Sequence, residues 1–215
     1  MSLPSTGRRL FVASGAAASA SMLGLLPAFA QDFGQVAAGI QRLYAALPEV
    51  MKAGAGTPFM QRYSTLVQPV SGALDLPAIL QVAVGPPWST IPPAQQAALQ
   101  TAFQKYSVAT YVSQFDSYGG EQFQVLPGLR TLPTGQPVLH TEIVPKSGDA
   151  HAIDYVMRQT PGGWKATDVL LDGTISRVAV LRSDFRRLLA RGGPAELTNF
   201  LEQKATALSG MTSPP

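Results

Sequence analysis

Residues 122–171 read QFQVLPGLRTLPTGQPVLHTEIVPKSGDAHAIDYVMRQTPGGWKATDVLL, and their period decides the fold. Residues 138–144 alternate, with Leu139, Thr141 and Ile143 on one face. Ile153, Tyr155 and Met157 alternate against Asp154, Val156 and Arg158. Such a period of two is the mark of half-buried strands. Residues 122–126 and 164–171 complete a set of four strand candidates. Gly128, Gly135, Gly148 and the pair Gly162–Gly163 fall between or near them, as the turns of an antiparallel meander require.

On both sides the period is that of a helix. Upstream, Phe33, Val36, Ile40, Leu43 and Leu47 recur at helical spacing, and residues 48–58 form a Gly/Ala/Pro connector. Thr57–Pro58 reads as an N-cap followed by proline at the first helical position. It opens a stripe of Phe59, Tyr63, Leu66, Val67 and Val70. Asp75-Leu76-Pro77 starts a helix with Ile79, Leu80 and Val82, which Gly85-Pro86-Pro87 stops. A long helix follows Pro92–Pro93, with Leu99, Phe103, Tyr106 and Thr110 on one side. Downstream, Val180, Leu181, Phe185, Leu188 and Leu189 form one stripe, Gly192–Gly193 ends it, and Pro194 opens a last helix. Helices, consecutive strands, then helices predict an α+β domain, with several helices on one face of a curved, mostly antiparallel sheet of about four strands. An apolar cavity can lie between the two layers.

Residues 1–30 read as a cleavable export signal. Arg8 and Arg9 precede an uncharged stretch to Leu26, and Ala28-Phe29-Ala30 fits the small-x-small rule for cleavage before Gln31. Arg8-Arg9-Leu10-Phe11-Val12 also resembles the twin-arginine signature, with Gly7 where Ser or Thr is usual. The stretch is too short and too rich in Ala, Ser and Gly for a membrane span. The expected organisation is a signal (1–30), one domain (31–209) and a flexible tail (210–215). The chain has 16 basic and 13 acidic residues. The signal holds two of the bases and none of the acids, so the remainder carries only one net positive charge. No Lys/Arg run survives to neutralise a phosphate backbone, which argues against nucleic acid as a partner. The chain has no cysteine, which excludes disulfides, thiolate metal sites and Cys nucleophiles.

Catalytic patterns are sparse. His140 and His151 fall on different strand candidates, without the companions a metal centre needs. Asp154, Asp168 and Asp172 lie in the strand region, where paired carboxylates can act as acid and base. Capping or pairing with Lys165 or Arg158 is the plainer role. No Gly-x-Ser-x-Gly and no phosphate-binding glycine loop is present in the sequence after the signal. No cofactor is implied. Aromatic residues are more informative: Phe103, Tyr106, Tyr111, Phe115, Tyr118 and Phe123 gather around the end of the long helix and the first strand. Plain core is the simpler reading of them; the wall of an apolar ligand cavity is the alternative.

Several short patterns, taken in order, resemble the MlaC family, also called toluene-tolerance auxiliary proteins. Phe59 to Val70 with Tyr63 and Pro69, Asp75-Leu76-Pro77 to Trp88, and Thr90 to Tyr111 with Gln95-Gln96 and Phe103 carry the first half. Trp164-Lys165-Ala166-Thr167-Asp168-Val169, the turn Asp172-Gly173 and Arg182-Ser183-Asp184-Phe185 carry the second. Residues 168–180 (DVLLDGTISRVAV), and Val108 to Tyr111 leading to Phe115, resemble the hopanoid-associated HpnM branch most. One extra residue between Gly173 and Phe185, and Leu181 where the family often has Tyr, depart from ordinary members. The resemblance implies a non-catalytic periplasmic lipid carrier. Such a carrier holds phospholipid or hopanoid-type lipid between sheet and helices. Its partners are an inner-membrane ABC transporter complex and an outer-membrane lipid complex. Taken with the strand alternation, it makes Tyr106, Tyr111, Tyr155, Met157, Val169, Leu171 and Ile175 the expected cavity lining. Three other readings stay open: a small-solute-binding component of an ABC transporter, a periplasmic α+β enzyme using Asp154 or Asp168, and a purely structural adaptor with a filled core.

Overall fold

The computed structural model describes Met1 and residues 28–210. Most of the export segment and the last five residues therefore lie outside the described residues. Five helices and a five-stranded sheet follow one another in the order α1 (Ala28–Ala53), α2 (Phe59–Ala73), α3 (Leu76–Val84), α4 (Pro93–Gln114), β1 (Gln122–Thr131), β2 (Pro137–Val144), β3 (His151–Thr160), β4 (Gly163–Leu171), β5 (Ile175–Ser176) and α5 (Arg177–Leu208). A 3-10 turn, Pro86–Thr90, joins α3 to α4. The sheet is an antiparallel meander in the order β1-β2-β3-β4-β5. The helices cover one of its faces. The fifth strand is absent from the periodicity because two residues have no period to read.

Two helix boundaries differ from the sequence expectation. Pro48 does not end α1, which runs on to Ala53. Proline removes one backbone donor from a helix interior, but Leu47, Val50 and Met51 are all buried, and their packing carries the helix past it. Thr57 does not cap α2. Its Oγ1 donates to the Ala53 carbonyl at 2.8 Å, closing α1 instead, and Pro58 stands at the N-cap of α2 with no side-chain bond. The remaining punctuation reads as the residues require. Asp75 Oδ1 accepts from the Ala78 N–H at the start of α3, and Gly85 ends that helix at φ +73, a conformation that costs glycine least. Gly192 and Gly193 leave helical geometry inside α5 and split it into two runs.

The core lies between the layers. Ile40, Leu43 and Leu47 of α1, Leu66 and Val70 of α2, Leu80 of α3 and Leu99 and Phe103 of α4 meet Leu139, Tyr155, Met157 and Ala166 of the sheet. Two close approaches fix the stacking. Gly39 of α1 has backbone of α2 and of Trp164 within 3.4 Å of where a Cβ would stand. Asp75 donates its N–H to the Ala166 carbonyl at 2.8 Å, so the α2–α3 junction is hydrogen-bonded directly onto β4. Long cations serve as helix ties. Arg62, 8% exposed, donates to the carbonyls of Thr57 and Val112, and Lys165 Nζ donates to the Ser71 carbonyl at 2.8 Å. The Val112 and Ser71 carbonyls lie near the C-terminal ends of α4 and α2, where cations are favoured.

Candidate functional site

A cavity of about 220 Å3 opens between the sheet and the helices. One water needs roughly 10–15 Å3 by such a measure, so the space accommodates many ligand atoms. From the helices, Tyr44 and Leu47 of α1, Leu76 and Ile79 of α3, and Val178 and Leu181 of α5 face it. From the sheet come Ile143 of β2, Ile153 and Tyr155 of β3, and Val169 and Leu171 of β4. One face of α4 supplies Phe103, Tyr106, Ser107, Thr110, Tyr111 and Gln114, at helical spacings of three and four, and Leu74, Phe115 and Arg177 complete the lining.

Exposure locates the mouth. Along α4 the lining passes from Phe103, which is buried, through the half-buried Tyr106, Ser107, Thr110 and Tyr111 to the exposed Gln114. Along the strands it passes from buried Tyr155 to half-buried Ile143, Ile153 and Leu171. Leu171 is paired with Ile175, which leads into Arg177 at the start of α5. The opening therefore lies where the second half of α4, the strand ends around Ile153 and the first turn of α5 meet. Its inner wall is apolar and aromatic; Ser107, Thr110, Gln114 and Arg177 make its polar edge.

The wall carries a chain of hydroxyls with a fixed direction. Thr141 Oγ1 donates to the Ile153 carbonyl, an acceptor only. Its oxygen must then accept from Tyr44, 2.6 Å away. With its own hydrogen committed, Tyr44 accepts from Tyr155 at 3.3 Å. The chain ties α1 to β2 and β3 behind the cavity. Burial pushes the Tyr155 hydroxyl well above the usual phenol range, with neighbouring Tyr111 and Tyr44 adding to it. Burial also raises Tyr44, against the bonds from Thr141 and Tyr155. Tyr111 rises through burial and the nearby Tyr44, while Tyr155 and the Arg177 charge pull the other way. Neutral phenols are thus held throughout, as a site for apolar matter requires.

Tyr106, Tyr111, Tyr155, Val169 and Leu171 all stand on the cavity wall. Met157 does not. It continues the Ile153–Tyr155 face, but it lies opposite Ala166, beyond a β-bulge, where the α2–α3 junction seals the sheet; it is fully buried core. Ile175 is likewise outside the lining and 52% exposed, because β5 is a two-residue strand at the sheet edge. Sequence reasoning passed over Tyr44, Ile143, Ile153 and Arg177 as lining. A tyrosine inside the aliphatic stripe of α1 is a readable signal; an arginine at a strand–helix junction is not.

The two acids that would serve an enzyme are engaged elsewhere. Asp154 is buried and meets His140 Nδ1 at 2.9 Å and Arg130 at 3.4 Å; it alternates with cavity-lining Ile153 and Tyr155 and so points to the other sheet face. Asp168 accepts from Ser176 Oγ and from the N–H groups of Val169 and Val178, tying the first turn of α5 to β4. Among the described residues no group of three His, Asp or Glu side chains stands together as a metal site. No helix among them is long and apolar enough to cross a membrane.

No curated protein matches the sequence. Among solved structures the chain is similar to a phospholipid-binding protein from Ralstonia solanacearum, determined in complex with a phospholipid. The two are 22% identical with a TM-score of 0.67, and the match covers 82% of this chain and 97% of that chain. At this identity the likeness bears on the fold. The family model described as MlaC protein matches residues 41–203, which span every element from α1 into the second run of α5, and the chain belongs to the MlaC family.

Proposed function

We propose that this protein is a periplasmic lipid carrier. Residues 1–30 direct its export, residues 31–209 form the lipid-binding domain and residues 210–215 follow it as a short tail. It takes lipid chains into the cavity between sheet and helices and passes phospholipid or hopanoid-type lipid between an inner-membrane ABC transporter complex and an outer-membrane complex, with no reaction on the lipid. The observation that carries this reading is the cavity itself: an apolar, aromatic hole with a polar edge, in a chain of the MlaC family. Binding sites for apolar ligands have this composition. The Ralstonia protein of the same fold was determined with a phospholipid, which supports lipid as the ligand class. The stretch 168–180 supports placement in the HpnM branch, and with it a hopanoid-linked role.

Mass spectrometry of protein purified gently from its own host tests the reading. Co-purifying lipid in stoichiometric amount is the expected result. A reproducible polar solute without lipid would replace the carrier by a solute-binding component. Turnover of a lipid, abolished by Asp168→Asn in a protein that still folds, would replace it by an enzyme.

A further inference from the structure

Among the described residues, Arg177 is the one charged residue on the cavity wall. Its place is fixed rather than incidental. Ser176 caps α5 by accepting from the Ala179 N–H, and Asp168 holds the Val178 N–H and the Ser176 hydroxyl. Arg177 is thereby locked at the mouth, between the end of β5 and the first turn of the helix. Asp168 is used up by these bonds. The Arg177 side chain makes no hydrogen bond or ion pair with any described residue, although its charge lies close enough to Tyr111 to be felt by that hydroxyl. On the same wall, Ser107 and Gln114 of α4 also have no side-chain partner among the described residues.

An arginine so placed discriminates between ligands. Its planar fork of donors matches phosphate and carboxylate oxygens and forms bonds about twice as strong as neutral ones. A ligand that presents only C–H at the mouth would strip water from the guanidinium and return nothing, which is costly. We propose that the cavity selects amphiphiles with an anionic head group, and that Arg177 binds the phosphate or carboxylate oxygens at the mouth while the chain occupies the apolar interior. This rests on the lipid-binding reading above and narrows it, because uncharged polycyclic hydrocarbons and alcohols become poor cargo.

The test offers the purified protein mixed micelles holding equal amounts of dioleoylphosphatidylglycerol, oleate and dioleoylglycerol. Bound lipid is then extracted and quantified. Wild type should retain at least one anionic lipid about tenfold over dioleoylglycerol. Arg177→Gln should lower that anionic binding by about tenfold or more, the scale expected for a lost charge-assisted bond. It should leave dioleoylglycerol retention no lower than in wild type, since the cost of desolvating the guanidinium is removed, and Arg177→Lys should restore part of the preference. Arginine-dependent retention of phosphatidylglycerol names a phosphate as the source of the anion, and of oleate a carboxylate. Equal retention of charged and neutral lipids by wild type would overturn the inference. So would an Arg177→Gln loss that falls equally on all three, while the carrier reading would stand in both cases. Retention of none of them would remove both. Thermal unfolding of each variant separates a binding defect from a folding defect.

Discussion

Tyr44 shows how one side chain sets both the shape of the cavity and its chemistry. Its ring lines the wall, tilted against Phe123 and edge-on to Tyr155, and its hydroxyl is the middle link between Tyr155 and Thr141. Tyr44→Phe keeps the ring and removes the link. Tyr155 then loses its acceptor and Thr141 its donor, inside a buried wall. Leaving such groups unpaired costs about 1–3 kcal/mol, which urea denaturation at neutral pH should register as a lower midpoint with an unchanged slope. The same tyrosines predict a pH dependence. Folded-state pKa values of Tyr44, Tyr111 and Tyr155 are raised, so the folded protein holds phenol protons that the unfolded chain releases above about pH 10. Their contribution is fully present below that pH and is lost as pH rises through the folded values, by up to about 1.4 kcal/mol per pH unit for each. Stability measured from pH 7 to 9 should carry no tyrosine slope. Above pH 10 it should fall, and phenolate absorbance from these residues should appear with unfolding rather than before it. Free titration of all six tyrosines in the folded protein would contradict the buried hydroxyl chain.

Elements were legible to the extent that their residues repeat. The alternation in β2 and β3 and the stripes of α2 and α4 carry their own period, so fold class and layer order can be read without coordinates. What periodicity misses is decided by distant contacts. Pro48 is passed because Val50 and Met51 find a core, and Met157 leaves the cavity because the α2–α3 junction is bonded over Ala166. The lining face of α4 is hard to read because half of it is polar: Ser107, Thr110 and Gln114 weaken the very stripe that marks the wall. Arg177 has no pattern at all, and only the capping bonds of Ser176 and Asp168 put it at the mouth. That junction supports a prediction about an element. Asp168→Ala removes the acceptor for two backbone N–H groups and one hydroxyl. It should cost about 1–3 kcal/mol and should fray the first turn of α5, seen as faster amide exchange at residues 177–179 with the second run of α5 unaffected. Unchanged exchange there would show that β5 alone holds the helix start.

At the scale of the molecule, the cavity links binding to stability. A ligand that binds only the folded chain adds about 2.7 kcal/mol at a hundredfold excess over its dissociation constant. For a domain of this size each kcal/mol moves the melting temperature by about 2–4 °C, so lipid loading should raise it by roughly 5–11 °C. Val169 stands on the cavity wall in β4, next to Tyr155 on the neighbouring strand. Val169→Phe therefore adds a ring where a ligand chain would lie. If the space is a binding cavity, the ring occupies part of it without forcing neighbouring side chains apart. The delipidated variant should then melt no lower than delipidated wild type, and should carry less lipid and gain less stability when lipid is added. If instead the region were close-packed core, the extra volume would have no room and would cost about 1–3 kcal/mol. Melting curves of both proteins, with and without lipid, distinguish the cases: a lipid-dependent shift in wild type that is smaller in a variant of equal stability assigns the cavity to the cargo, whereas a destabilised variant that shifts with lipid as far as wild type does would place the cargo elsewhere.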